Sequence, residues 1–528
     1  MATASVFLIG CEKKANDWLV EPGNERLFKP LIFEMVKVGP TEVQIKYTQS
    51  VSADKYIFEF SKDSLQFTNI SHTVEILADT LTAFAESTSP MKVEYRTTFS
   101  ELDGTTGYSV RMKCVDTLSG KESKYSQFYF ETGAEQLFTD WTTYTDKIQI
   151  YWTQTNRVTN VKVSHPITGE VLADRVLTAE EKSSASLLVE NLMPGTNYAF
   201  TIYNNNVVRG RKVLKTSGLE GALIVQVNPG DVVADLLANA VAQGKPNITL
   251  LFKGGETYEI GVLTVPAGVN NISFTGAVDA GASKPLLNIR ELKLTDLAIG
   301  KIWFESVEMS YPSASFLMAF STNNMEIDEF SFVNCDISKY TAVVRLSNNQ
   351  IKLKKIAFDN CMIDRTGGWG VVNVGGNNVK LDTISFKNST ITDISTQLMD
   401  VRAAVPHIYI GNCTFVNLNS SLTQLMRFDT KNLPLSVVTE ANIIAGNNAG
   451  AKINSFSFDV STTGLTGSFG GSYRTNDLTI NKYDFPNITI FNGSTYDLFV
   501  DPANKDFTIK PESGFGGRGS AGAPRWFD

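Results

Sequence analysis

A six-residue phrase recurs through the C-terminal half of this chain: FVNCDI at 332–337, FDNCMI at 358–363, FKNSTI at 386–391 and IGNCTF at 410–415. The lead residues Phe332, Phe358, Phe386 and Ile410 lie 26, 28 and 24 positions apart, with weaker copies starting at Phe274, Phe304 and Val438. A period of this length marks a solenoid, in which each repeat buries its apolar face only against its neighbours. The units alternate apolar and polar residues and no helix-length apolar pattern separates them, so one repeat is one coil of strands. Stacking then puts like over like. Asn334, Asn360, Asn388 and Asn412 are expected to form a ladder of amides bonded along the stack. Cys335, Cys361, Ser389 and Cys413 are expected to form a column of small side chains, as buried thiols or, at about 4.8 Å spacing, within disulfide range.

With these residues the chain resembles the right-handed parallel β-helix of pectate-lyase-like proteins over roughly residues 220–528. Asp231 is a plausible N-cap for a short amphipathic helix through Val241. A helix there covers the bare strand edge of the first coil. The far end, Asp506–Pro511 and the glycine-rich run to Trp526, resembles uncharacterised β-helix domains of glycan-utilisation lipoproteins.

The first half reads differently. Residues 24–133 carry short alternating strands such as 43–47, 56–60 and 128–130, separated by turn residues, which is the signature of a β-sandwich. Residues 134–217 repeat the plan with a core Trp152 and the run NLMPGTNYAFTI at 191–202. That run resembles the turn and tyrosine corner of fibronectin type III domains, with Tyr198 as the corner residue and Tyr108 as its counterpart in the first sandwich. The expected fold is therefore all-β: two fibronectin type III-like sandwiches (24–133 and 134–217), then a parallel β-helix with an N-terminal capping helix (218–528). Residues 1–23 read as a leader remnant and tether. Within them VFLIGC at 6–11 resembles the lipobox of bacterial lipoproteins, which implies lipidation at Cys11 and a place on the outer membrane at the cell surface.

The formal net charge of −8 argues against nonspecific nucleic-acid binding, though a local basic face still suits a polyanion. Catalytic equipment is sparse. The coils hold no Asp-Asp pair, and Asp336, Asp359, Asp364, Asp382, Asp393 and Asp400 fall in different repeat phases. Of three histidines, His72 and His165 lie in the sandwiches and His407 at a turn. No metal or cofactor motif is present, and the cysteines lack the histidines of a zinc site.

About a dozen residues after each lead position comes a second strand, at 343–346, 371–374, 400–402 and 425–428. If Val344, Leu346, Val372, Val374, Val401, Met426 and Phe428 point inward, alternation turns Arg345, Asn373, Arg402 and Arg427 outward on one face. Such a strip suits the sulfates or carboxylates of a glycan, since guanidinium forks bind both bidentately. Trp369, Arg365 and Lys431 lie nearby in sequence as a stacking platform and added charge. The alternative is a decorated strand face whose arginines pair with Asp400.

The lipobox, sandwich spacers and distal β-helix resemble the SusE-like, non-catalytic binding lipoproteins of outer-membrane glycan-import systems, in particular of heparin and heparan sulfate utilisation. The resemblance implies a surface protein, not an enzyme, that binds an acidic polysaccharide for degradation or import alongside the importer components. Two other readings stay open. One is a lyase on an acidic glycan, with Arg345 or Arg402 as base and Asp400 as metal ligand. The other is an adhesin with a protein partner.

Overall fold

The computed structural model describes residues 25–527, except 85–92, 156, 279–281, 297, 312–315, 321–322, 348–349, 377, 418–423, 447–451, 458 and 460–465. Cys11 and the rest of the tether lie outside the described residues.

Alternation of buried and exposed residues builds both sandwiches. In the first, Phe33–Val38, Val43–Thr48 and Glu94–Phe99 form a three-stranded sheet. It faces a five-stranded sheet centred on Lys55–Ser61 and Gly107–Asp116. The second has three strands (Phe138–Thr143, Ile148–Trp152, Ser186–Val189) and four (Asn160–Ser164, Val171–Val176, Asn197–Asn204, Val207–Lys215), the fibronectin type III arrangement. Tyr108 makes a tyrosine corner, its buried hydroxyl accepting the Asp103 N–H at 3.0 Å. Tyr198 is buried in the matching strand.

By compactness the chain forms two units. One runs from the first sandwich into most of the second; the other joins 142–149, 188–197 and 215–528. Within the latter, the Gly218 N–H donates to the Glu305 carboxylate at 2.7 Å and the Leu219 N–H to Thr249 Oγ1 at 3.2 Å.

The solenoid is a parallel stack. One column holds ten long strands, from Leu223–Val227 through Met325–Val333, Ile351–Asp359 and Val379–Lys387 to Thr466–Gly470. In the first coils a single strand follows, Thr257–Val265 and then Leu286–Leu294; from the next coil on it divides into a short middle strand such as Met362–Asp364 and a third strand such as Val372–Val374. The helix Val233–Ala242 packs Val233, Leu237 and Ala240 onto the first coils as their cap.

The repeated phrase is the corner between the first two strands. Phe252, Phe274, Phe304, Phe332, Phe358 and Phe386 stack ring on ring inside, with centroids 4.5–6.3 Å apart. Asn334, Asn360, Asn388 and Asn412 all adopt left-handed backbone with φ of 52–53°, which asparagine tolerates better than most residues. The amide ladder is only partial. Asn334 Nδ2 donates to Ser306 Oγ and Asn360 Nδ2 to Asn334 Oδ1, but Asn388 turns to Asp359 and Asn412 to the Ser520 carbonyl. The members of the small column all bond in the same way, as Cys335, Cys361, Ser389 and Cys413 each donate to the carbonyl two residues back, across the corner. The thiols are free and buried, and burial pushes Cys413 up to about 12.

Three further details depart from the sequence reading. The N-cap of the helix is Val232, and the Asp231 carboxylate instead accepts the Asn228 N–H at 2.8 Å. The copy assigned to Val438 is one residue out, because Ile410 pairs with Thr439 and the left-handed corner falls on Ala441. The glycine-rich tail does more than close the end. It runs back along the middle strands, where Ala523 N–H donates to Thr414 Oγ1, Trp526 Nε1 to Thr390 Oγ1 and Arg525 Nη2 to Asn360 Oδ1.

Candidate glycan-binding face

The third strands Ala342–Leu346, Val372–Val374, Met399–Val401 and Gln424–Phe428 carry the candidate face. Their inward residues are as expected: Val344, Leu346, Val372, Val374, Val401, Met426 and Phe428 are all buried. The outward column differs in one rung. Arg345 pairs with Asn373, Asn373 with Asp400, and Asp400 with Arg427. Asp400 therefore occupies the place expected for Arg402. Arg402 follows two residues later, just past the strand, its N–H donating to the Val374 carbonyl at 2.8 Å.

This exchange divides the arginines. Asp400 is 1% exposed, and its carboxylate takes Arg402 Nη2 at 2.9 Å and Arg427 Nη1 at 3.6 Å. Hydrogen bonding to Asp400 holds the Arg402 guanidinium above its ordinary pKa. Arg345 is engaged differently. Its guanidinium lies 4.8 Å from the Phe316 ring and 4.5 Å from the Trp369 ring, and among the described residues no ion pair or hydrogen bond engages it. Such contacts use the face of the planar cation and leave its N–H edge for an acceptor.

Trp369 is half-exposed in the loop 366–371, where Gly370 has φ +78° and a Cβ would stand 2.4 Å from the Gln397 carbonyl oxygen. Only glycine fits there, and the turn holds the indole over Arg345. Asn373 is 2% exposed rather than presented to solvent, and among the described residues its Nδ2 has no hydrogen-bond partner.

The remaining candidates make none of these contacts themselves. Arg365 is the left-handed corner after the middle strand and pairs with Asp364 at 2.7 Å, where Lys505 also approaches to 2.6 Å. Lys431 is exposed in a turn, its backbone N–H donating to Asp429. Phe316 was invisible as a site residue, because only the coil register, Phe316 opposite Ala342, brings it below Arg345.

The outward face of the long strands is self-neutralised by comparison. Acids of one coil meet lysines of the next in Asp328–Lys354 and Glu329–Lys355, at 2.5 and 3.0 Å. His72 and His407 are exposed, and His165 Nδ1 accepts two turn N–H groups. Among the described residues no cluster of His, Cys, Asp and Glu has the makings of a metal site. No helix there is long and apolar enough to cross a membrane.

Residues 256–394, the early and middle coils, match the model of a domain of unknown function, DUF4957. No curated protein matches the chain. Among solved structures, a two-domain fibronectin type III segment of chicken tenascin is 19% identical, with a TM-score of 0.22, over 35% of this chain and 99% of that one. The first three fibronectin domains of chicken CNTN1 are 14% identical, with a TM-score of 0.15, over 36% of this chain and 68% of theirs.

Proposed function

We propose that this chain is a non-catalytic binding protein that holds an acidic polysaccharide, of the heparin or heparan sulfate kind, on its solenoid. In this reading it presents the glycan at a bacterial cell surface for degradation or import, tethered to the outer membrane by lipid on Cys11. The observation that carries the reading is Arg345, an arginine set against two aromatic rings and paired with no acid among the described residues, in a column of polar groups spanning successive coils. An extended polymer suits a face that repeats at strand spacing.

Binding is favoured over elimination by the state of Arg402 and Asp400, two of the residues the lyase reading names. A base has to accept a proton, whereas Asp400 stabilises the protonated form of Arg402. A metal ligand has to offer lone pairs, whereas the Asp400 carboxylate is taken by two guanidiniums. Affinity-gel retardation on heparin, chondroitin and neutral glycans, run beside absorbance at about 235 nm for unsaturated uronate, tests the proposal. Retardation by an acidic glycan without product is the expected result. Product formation, or no retardation by any acidic glycan, overturns it.

A further inference from the structure

We infer that Arg345 and Asn373 form a subsite for one anionic group of the ligand, and that Arg402 and Arg427 are not part of it. The inference rests on the binding reading above and divides the face more finely.

Three observations carry it. First, Arg345 is the arginine of the column whose charge no acid among the described residues pairs with, and ring contacts already restrict its guanidinium. A preordered cation loses less freedom when a ligand arrives. Second, Asn373 stands on the adjacent rung, and its Nδ2 is a buried donor without an acceptor. Buried amide groups are almost always bonded, and an incoming oxygen removes the penalty of this orphan. Third, Asp400 already accepts a hydrogen bond from Arg402 and forms an ion pair with Arg427, so a ligand anion there competes with a carboxylate held in place.

One oxygen on the Arg345 fork and a second on Asn373 Nδ2 describe a carboxylate or a sulfate ester equally well. Both are oxyanions that match the fork. Because Nδ2 is buried, the oxygen reaches it only after local rearrangement. Movement of either the Arg345 guanidinium or the Trp369 ring breaks the contact between them, so binding is expected to change Trp369 emission.

The test uses the full chain and three probes of matched length: an oligogalacturonate, a sulfated galactan oligosaccharide without carboxylate, and a neutral galactan. Calorimetry and tryptophan emission are recorded for wild type, R345A, R345K, N373D, W369F, R402A and R427A. Wild type is expected to bind at least one anionic probe and not the neutral one, and the two anionic arms tell carboxylate from sulfate. R345A is expected to lose at least tenfold, with R345K recovering only part. N373D sets an internal carboxylate beside Arg345 and is expected to lose as much. R402A and R427A should stay within about threefold, and W369F should lose the emission change while keeping most affinity. If R345A does not fold, R345K and N373D carry the same comparison. Wild-type affinity in R345K and N373D, or a loss in R427A as large as in R345K, overturns the subsite while leaving glycan binding intact. Failure of wild type to bind either anionic probe or a heparin oligosaccharide overturns both readings together.

Discussion

Replacing Asp400 by asparagine should make the protein bind an acidic glycan more tightly. Asp400 is 1% exposed and is shared by Arg402 and Arg427, whose side chains are 44% and 47% exposed. In D400N the side-chain shape persists but the negative charge goes. Two half-exposed guanidiniums lose their partner, and one acid that repels the ligand disappears. Ion pairs this exposed contribute about 0.2–1 kcal/mol each, so a stability loss of about 1–2 kcal/mol is expected, including the strain of leaving two cations adjacent. On the binding side, each freed guanidinium gains one charge-assisted hydrogen bond to the glycan. Discounted for solvent, that is about 1 kcal/mol apiece, or roughly tenfold in affinity for the pair acting incompletely. Calorimetric titration of wild type and D400N across a salt series, beside thermal melts, checks both terms. The gain should shrink as salt rises, because screening weakens the exposed pairs. Unchanged or weaker binding by a folded D400N would refute the view that Asp400 restrains the two arginines.

Phe358 is fully buried, with Phe332 and Phe386 stacked at 4.8 and 4.7 Å, so F358A should cost about 3–5 kcal/mol in denaturant melts of the solenoid and leave the sandwiches' transition in place. Burial raises the Glu305 carboxyl above its ordinary range, so its ionised form opposes folding at neutral pH and stability recovers as pH falls through the raised value. E305Q, which can still accept from Gly218, should therefore melt higher than wild type near pH 8, the gap closing on acidification; a gap independent of pH would count against the assignment. A fragment of residues 134–528 should melt like the intact solenoid, while 218–528 should melt several degrees lower, because segments 142–149 and 188–197 belong to the same compact unit. Equal melting temperatures would show that those segments add nothing.

The solenoid was legible because its corner is chemically narrow. A large apolar residue must stack inside, a residue tolerant of left-handed backbone must follow two later, and a small side chain must then reach the carbonyl across the turn. Those three demands leave a phrase that survives from coil to coil. Legibility faded where another residue meets the demand less distinctively. Thr439 takes the stacking position, Ala441 the left-handed one and Asn442 the small column, where its Oδ1 accepts the Cys413 N–H at 2.9 Å. None of these three matches the phrase, so the apparent copy slid back by one residue to Val438.

The binding face was harder to read for a related reason. The length of loop between the corner and the third strand varies among coils, so alternation fixes which residues share a face but not which share a rung. Asp400, in the strand Met399–Val401, and Arg402, just past it, lie two residues apart and meet in an ion pair. Val401 is inward on either choice, and only the pairing of Asn373 with Asp400 decides that an acid stands in the column. That difference changes the chemistry of the whole strip. An arginine on that rung would give like charges along the column, whereas the acid draws in one arginine from just past its own strand and one from the next coil. What remains outward and uncompensated is Arg345, and its distinguishing neighbour is Phe316 from the preceding coil rather than any residue near it in sequence. D400N and R345A therefore probe opposite halves of one column: the first should raise affinity by releasing held charge, the second should lower it by removing charge that was never held.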